Sequence, residues 1–308
     1  SIFPYNIRYN RYKPKVFFVM LFNKLQISTR KSKLRINIFS SLTSFTLFIP
    51  RFYNGKIIKV PIQDGIKVGI STELWMTNLL NKIHNIKKIK NFHDVGANLG
   101  QTLIKIKTID SSINYHAFEP NYLCSNYLSK LIKINNWINT HIYPIGIFNE
   151  DSLKYLEGKS DYDKSSSIMP DCAETKKIVR KITSFYTYES IKKLIGDENV
   201  DIIKIDTEGS ELEVIQSYKS LLTKDSPLVL IEILKLQKDN IKKIKRDQDL
   251  SLFIHSLNYN IYRIYKDSNN KLVNLKKEKS LGTYDDNQYA DHLLIHDSKI
   301  NIYNKLLA

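Results

Sequence analysis

Residues 94–100 read Asp94-Val95-Gly96-Ala97-Asn98-Leu99-Gly100, between a short predicted strand over 92–95 and helical spacing over 101–109. A strand that ends on a glycine turn and passes at once into a helix brings unpaired helix N–H donors to the mouth of a sheet. Gly96 and Gly100 let the backbone turn tightly and let a ligand come close where a Cβ would obstruct it. The spacing is G-x-N-x-G, which is not the dinucleotide G-x-G-x-x-G and lacks the lysine of a phosphate-binding loop. Asp94 at the strand end would repel a pyrophosphate and suit a ligand that carries an ammonium group.

Outward from this stretch the pattern alternates. Residues 115–118 predict a strand, followed by a helix bearing Leu123, Tyr127, Leu128, Leu131 and Ile132, and 141–148 predict another strand. Further on, a helix over 188–195 closes at Gly196, 200–205 is a buried strand, 210–222 a helix and 228–233 a strand. Upstream, Asp64-Gly65 between 56–60 and 66–70 predicts a hairpin, and Ser71-Thr72 would cap a helix carrying Trp75, Met76, Leu79, Leu80 and Ile83. The tail predicts a helix over 241–257 and two β-rich runs, 259–265 and 289–296. Near-continuous apolar strands alternating with helices mean a parallel sheet covered on both faces, a doubly wound α/β fold. Residues 149–181 lose this period and carry Gly158, Ser165-Ser166-Ser167 and Pro170. They predict a long loop, or an insertion with local strands, of the kind that often holds substrate.

The chain has 308 residues, 42% apolar and 25% charged, with 10 Gly and 8 Pro, which excludes collagen-like, low-complexity and wholly disordered classes. Two cysteines, Cys124 and Cys172, support neither a disulfide framework nor a cysteine metal cage, so a reducing, cytoplasmic setting is expected. No uncharged apolar run reaches 18 residues. The net charge of +16 is uneven: residues 1–63 hold 12 Lys and Arg and no acid, so most of the excess lies in the first fifth. Residues 1–55 read as a basic N-terminal arm or small subdomain and 56–308 as the main domain. Such an arm, with apolar runs at 16–22 and 36–49, should seek a polyanion: a membrane face, which could hold the chain peripherally, an acidic glycan or nucleic acid. Packing of those apolar runs on the main body is the competing reading.

One strand beyond the glycine loop, Glu119 lies 25 residues after Asp94, where a carboxylate can take both hydroxyls of a ribose. Loop, acid and alternation together point to a nucleoside that carries an amino acid, S-adenosylmethionine. Residues 94–100, Phe118-Glu119-Pro120-Asn121, and Ile203-Lys204-Ile205-Asp206-Thr207-Glu208-Gly209-Ser210-Glu211 resemble, in order and separation, the signature blocks of the FkbM family of S-adenosylmethionine-dependent methyltransferases. Leu230-Ile231-Glu232 is similar to the family's later acidic strand, and Ser166-Ser167-Ile168 to its serine-containing loop. The resemblance runs from about residue 56 to the end. Ser184-Phe185-Tyr186-Thr187-Tyr188-Glu189 departs from the family's Thr-Leu-Asp.

The resemblance implies a class I methyltransferase (Rossmann-like) sheet with a C-terminal antiparallel hairpin, acting as an O-methyltransferase on a sugar hydroxyl of a glycan, polysaccharide or glycolipid. Carried over, Asp94, Gly96, Asn98 and Gly100 line the methionine end. Glu119 takes the ribose, with Pro120 and Asn121 beside it, and Ile145-Gly146 faces the adenine. Glu73 matches a family glutamate weakly.

Asp206, Glu208 and Glu211 follow the 200–205 strand and should face the same crevice as Gly96. A sugar hydroxyl is a poor nucleophile at neutral pH, so a carboxylate or a divalent metal would help remove its proton. Asp206 is the first candidate for base or metal ligand and Glu208 the second, with Glu232 orienting substrate. The plainer readings give Asp206 the cofactor's amino group, and Glu208 or Glu211 the helix N-terminus. Lys204 reads as a buried stem with a paired tip, and Asp291, His292 and His296 lie on one strand, too extended to share one metal ion. A 2′-hydroxyl methyltransferase of RNA, with nucleic acid as partner, and a non-catalytic polyanion-binding protein are the other function classes. The first predicts steeply salt-dependent RNA binding.

Overall fold

The computed structural model describes residues 47–70, 72–163, 166–168, 179–196, 198–234, 240–282 and 287–307. Ser71, Pro170, Cys172 and residues 1–46 of the basic arm lie outside the described residues.

The elements run β1 (Phe48–Tyr53), β2 (Lys56–Pro61), α1 (Leu74–Ile86), β3 (Asn91–Val95), α2 (Gln101–Ile109), β4 (Asn114–Phe118), α3 (Tyr122–Asn135), β5 (Thr140–Tyr143) and β6 (Gly146–Ile147). Next come β7 (Ser152–Gly158), β8 (Val179–Tyr186), α4 (Tyr188–Ile195), β9 (Ile202–Ile205), α5 (Glu211–Ser217), α6 (Lys219–Asp225) and β10 (Leu228–Glu232). The chain closes with α7 (Ile241–Ser256), β11 (Tyr259–Lys266), β12 (Leu272–Glu278), β13 (Asp291–His296) and α8 (Asn304–Leu307).

Eight strands form the central sheet in the order β12-β11-β13-β10-β9-β3-β4-β5. β10, β9, β3, β4 and β5 are parallel, and β13, β11 and β12 complete the sheet as antiparallel partners. This is the doubly wound class I methyltransferase arrangement with a C-terminal antiparallel hairpin that the sequence led us to expect. Chain order reverses between β3 and β9, and such a switch point opens a crevice at the strand carboxyl ends.

Both faces are apolar because successive strand residues point to opposite sides. Phe92, Tyr115, Ile202 and Leu228 pack in one core with Leu79, Leu80, Leu103 and Leu131 of α1–α3. Phe118, Ile203, Val229 and Ile231 pack in the other with Val214, Leu221, Leu250 and Ile254 of α5–α7.

Four local expectations change. The hairpin turns at Asn54-Gly55, where both residues have positive φ, and pairs β1 with β2. Asp64-Gly65 closes only the single bridge Gln63–Ile66, because Val68 N–H then leaves to donate to the Tyr127 hydroxyl at 2.8 Å. The strand expected over 141–148 is divided at Pro144, which has no N–H for a ladder, and β6 joins a separate three-stranded sheet β6-β8-β7. Residues 149–181 thus contain local strands, with β7 antiparallel to β8. The helix over 210–222 breaks at the buried Tyr218, which stacks on Tyr188 with ring centroids 4.6 Å apart. An edge strand, β12, was not expected, because Leu-Val-Asn-Leu-Lys-Lys-Glu carries the charge that edge strands use against aggregation instead of an apolar alternation.

Candidate cofactor and acceptor site

The carboxyl ends of β3, β4 and β9 are tied together by backbone. Gly96 N–H donates to the Phe118 carbonyl at 2.9 Å, and Asp206 N–H to the Val95 carbonyl at 3.1 Å. Gly96 has φ 82°, and a Cβ there would stand 1.9 Å from the Asp206 carbonyl oxygen, so only glycine lets β9 come this close. Gly100 ends the loop at φ 92°, where a Cβ would strike Leu128 and Leu131 at 2.7 and 2.9 Å. Its role is to seat α2 against α3.

An open cleft of about 630 Å³ lies over these ends. Gly96, Asn98, Glu119, Pro120, Asn121, Gly146, Asp206 and Glu208 all line it. Glu119 is buried and its carboxylate is held at two points. Oε2 accepts Asn98 N–H at 2.7 Å and Oε1 accepts Asn121 N–H at 2.8 Å. Asn98 reaches it from φ 49°, a conformation asparagine tolerates. Burial pushes the Glu119 carboxyl up to about 7 against the pull of those two amides. Asn121 also caps α3, its side chain accepting Leu123 N–H at 3.2 Å. Apolar side chains line it as well: Phe118, Ile147, Leu156, Ile168 and Phe185. Gly146 lies beneath Phe185, whose ring would be 2.0 Å from a Cβ.

Asp94 does not line this cleft. It is fully buried beneath it, accepts the Tyr115 hydroxyl at Oδ2, and has Oδ1 3.3 Å from Lys204 Nζ. Lys204 Nζ also meets Asp206 Oδ2 at 3.1 Å and the Gly96 carbonyl at 3.5 Å, the paired tip expected for this residue. Burial disfavours the ammonium, but Asp206 and Asp94 outweigh it and hold the Lys204 pKa above its ordinary value.

Glu232 lies outside the cleft as well. It lines a neighbouring chamber of about 220 Å³ between the start of α1 and the ends of β9, β10 and β13, with Glu73, Trp75, Met76, Lys204 and Asp291. Glu73 pairs with Lys105 at 2.8 Å, and Asp291 pairs with Lys266. Burial raises Asp291 to about 6 even against Lys266. Glu232 is raised well above the carboxylate range, first by the charge of Asp206, then by burial and by Asp291.

The loop after β9 is organised by Glu211, whose Oε1 accepts Gly209 N–H at 2.9 Å and the Thr207 hydroxyl at 3.1 Å. Arg246 of α7 grips the same loop, donating to the Gly209 carbonyl at 3.0 Å and to both oxygens of Glu213. Glu208 sits at φ 55°, and its carbonyl accepts the Ser167 hydroxyl at 2.7 Å. That contact brings the serine-containing loop to the cleft.

The structure therefore gathers eight of the candidate residues at one cleft, puts Asp94 and Gly100 beneath it as framework, and moves Glu232 next door. Sequence reading missed Leu156, since 149–181 shows no single period, and quoted Ile168 and Phe185 only within motifs, without assigning their side chains to the site. It also missed Asp291 as a neighbour of Glu232, a cross-strand pair made only by β10–β13 register. Among the described residues, no group of three His, Cys, Asp or Glu is arranged to hold a metal ion, and no helix is long and apolar enough to cross a membrane.

Residues 94–261, over half the chain, match the profile of the Methyltransferase FkbM domain. Among solved structures, a Methyltransferase FkbM from Methylobacillus flagellatus KT is 14% identical, with a TM-score of 0.42, over 68% of this chain and 44% of that one. This chain thus spans less than half the length of that relative. An O-methyltransferase from Bacillus cereus in complex with SAH is 8% identical, with a TM-score of 0.42, over 90% and 96% of the two chains. A SAM dependent methyltransferase from Aquifex aeolicus is 13% identical, with a TM-score of 0.39, over 72% and 90%. No curated protein matches the chain significantly in sequence.

Proposed function

Because the chain belongs to the Methyltransferase FkbM domain family, whose methyl donor is S-adenosylmethionine, we propose that it methylates a hydroxyl of a sugar in a glycan, polysaccharide or glycolipid. The observation that carries the reading is Glu119: a buried carboxylate oriented by two backbone amides on the lip of a cleft lined in part by apolar side chains. Such a carboxylate suits a ribose diol, and the slot formed by Gly146, Ile147 and Phe185 suits a flat base. Gly96 and Asn98 would border the amino-acid end. The residues present fit the donor.

When bound, the donor supplies an electrophilic methyl on a sulfonium. The chain's own part is positioning and desolvation, which dominate an in-line displacement. Lys204 holds Asp206 against the Gly96 loop, and Arg246 and Glu211 hold the Glu208 loop over the cleft. Asp206 and Glu208 line the cleft as candidates for the acceptor's proton, and a sugar hydroxyl needs such a partner at neutral pH.

Titration calorimetry with S-adenosylmethionine and S-adenosylhomocysteine tests the cofactor half. Label transfer from radioactive donor to a panel of methyl glycosides and glycolipids tests the acceptor half. Heat with both nucleosides and label on a sugar are expected; a folded chain that gives no heat sinks the reading. The charge concentrated in residues 1–63 supports attachment to an anionic membrane surface, where glycolipid acceptors lie. Co-sedimentation with phosphatidylserine vesicles, lost at high salt and absent with neutral vesicles, is the expected result.

A further inference from the structure

We propose that Glu232, rather than Asp206 or Glu208, takes the proton of the acceptor hydroxyl; this rests on the methyl-transfer reading above. Register places the group. Val95 pairs with Ile205 and Ile205 with Ile231, all in parallel, so Gly96, Asp206 and Glu232 are the next residues on three neighbouring strands. Adjacent strands stand about 4.8 Å apart. Glu232 is also paired directly with Asp291 on β13. The four residues form one row across the sheet mouth, running from the glycine loop toward the chamber under α1.

Their partners differ. Asp206 is ion-paired with Lys204, a buried cation that it shares with Asp94. The Asp206 carboxylate is thus already engaged by a buried ammonium 3.1 Å away. Glu208 lines the cofactor cleft and not the chamber. Glu232 lines the chamber, beside the apolar Trp75 and Met76, and makes no ion pair or hydrogen bond among the described residues.

Around it stand Asp206 at the end of β9, Asp291 on β13, Glu73 at the start of α1 and Glu208 in the loop. The nearby ammonium groups of Lys204 and Lys266 are engaged by Asp94, Asp206 and Asp291. A proton arriving at Glu232 removes the negative charge that its neighbours repel. The chamber supplies the base with its driving force.

The step balances. The hydroxyl oxygen forms its bond to the methyl carbon as the carbon–sulfur bond breaks, and that electron pair stays on sulfur. The sulfonium becomes a neutral thioether, and the hydroxyl proton passes to the Glu232 carboxylate.

The test uses full-length Glu232→Gln, with Glu232→Asp as a second variant. Glutamine keeps the shape and removes the crowded charge, so a melting temperature equal to or above wild type is expected. Infrared spectra of the donor-free protein across pH 5 to pH 9 read the first prediction. A protonated-carboxyl band should persist above the ordinary carboxylate range in wild type, and Glu232→Gln should lose the Glu232 part of it while keeping that of Glu119. An unchanged band in the variant overturns the proposal. Calorimetry with S-adenosylmethionine should give Glu232→Gln an affinity within about threefold of wild type. If wild type itself gives no heat, the methyl-transfer reading fails, whatever the infrared shows. With a glycoside that accepts label, Glu232→Gln should lose about a hundredfold in kcat. It should also lose the acid limb of the pH profile, and Glu232→Asp should recover part of the rate. Transfer by Glu232→Gln within threefold of wild type overturns the assignment.

Discussion

Glu119 and Glu232 stand at the carboxyl ends of β4 and β10, the strands that flank β3 and β9, and both hold a proton more tightly than an exposed glutamate. Their surroundings are opposite. Glu119 is buried among apolar side chains but accepts two backbone amides, which fix both oxygens and partly repay its desolvation. Glu232 has no donor among the described residues and faces four carboxylates. The first environment builds a rigid acceptor that can grip hydroxyls without moving. The second leaves a carboxylate free to exchange a proton. Between them, Lys204 pairs with both Asp94 and Asp206 and places a cation between the two halves.

Removing that cation should have the largest effect. Lys204→Met leaves two carboxylates under the sheet mouth without their cation. Losing one partner of a buried ion network costs about 3–5 kcal/mol, read as a drop in unfolding free energy in urea. If stability falls by much less, the ion network does not depend on this charge.

Gly96→Ala comes next. The methyl would meet the Asp206 carbonyl from a backbone with φ 82°, so β3 and β9 must separate. Strain of this kind costs about 1–3 kcal/mol, and calorimetry should show no heat with S-adenosylmethionine.

Glu119→Gln replaces a charged acceptor with a neutral one and should weaken donor binding by about tenfold or somewhat more, the worth of a hydrogen bond to a charged group. The wild-type protein offers a finer test. The ribose hydroxyls need the carboxylate form, and the Glu119 carboxyl stands at about 7. Affinity should be flat above pH 8, fall as pH drops through 7 and level off once it has lost about what Glu119→Gln loses; Glu119→Gln should flatten that limb. A wild-type affinity independent of pH from 5.5 to 8.5 would remove Glu119 from the ribose.

The smallest effect is expected at Arg246→Met, which releases Glu213 and the Gly209 carbonyl on a partly exposed surface. About 1 kcal/mol of stability should be lost, with looser closure of the Glu208 loop read as faster amide exchange at residues 207–210.

Much of this was legible in the linear chain because it depends on near neighbours. The glycine loop, Glu119 at the next strand and the 3.6- and 2-residue periods follow from local sterics and from burial of one stripe or two faces. Asp206, Glu208 and the cofactor residues could be named from their place after a strand. Pro144 carried the break of the 141–148 strand in its missing N–H, a signal available and not used. Lysine-rich β12 and the strands within 149–181 carried no single period, so their pairing was not readable.

Tertiary structure alone decided which carboxylates are paired and which are not. Asp94, Asp206, Glu232 and Asp291 look alike as letters after or within apolar strands, and nothing in the order of residues says that Lys204 reaches the first two and Lys266 the last. That outcome follows from strand order and register, which bring residues far apart in the chain to within a few ångströms in a low-dielectric interior. There the distance to a counter-charge sets the proton affinity of each acid. The kind of fold was written in short-range pattern; the chemistry of its mouth arises from long-range contact.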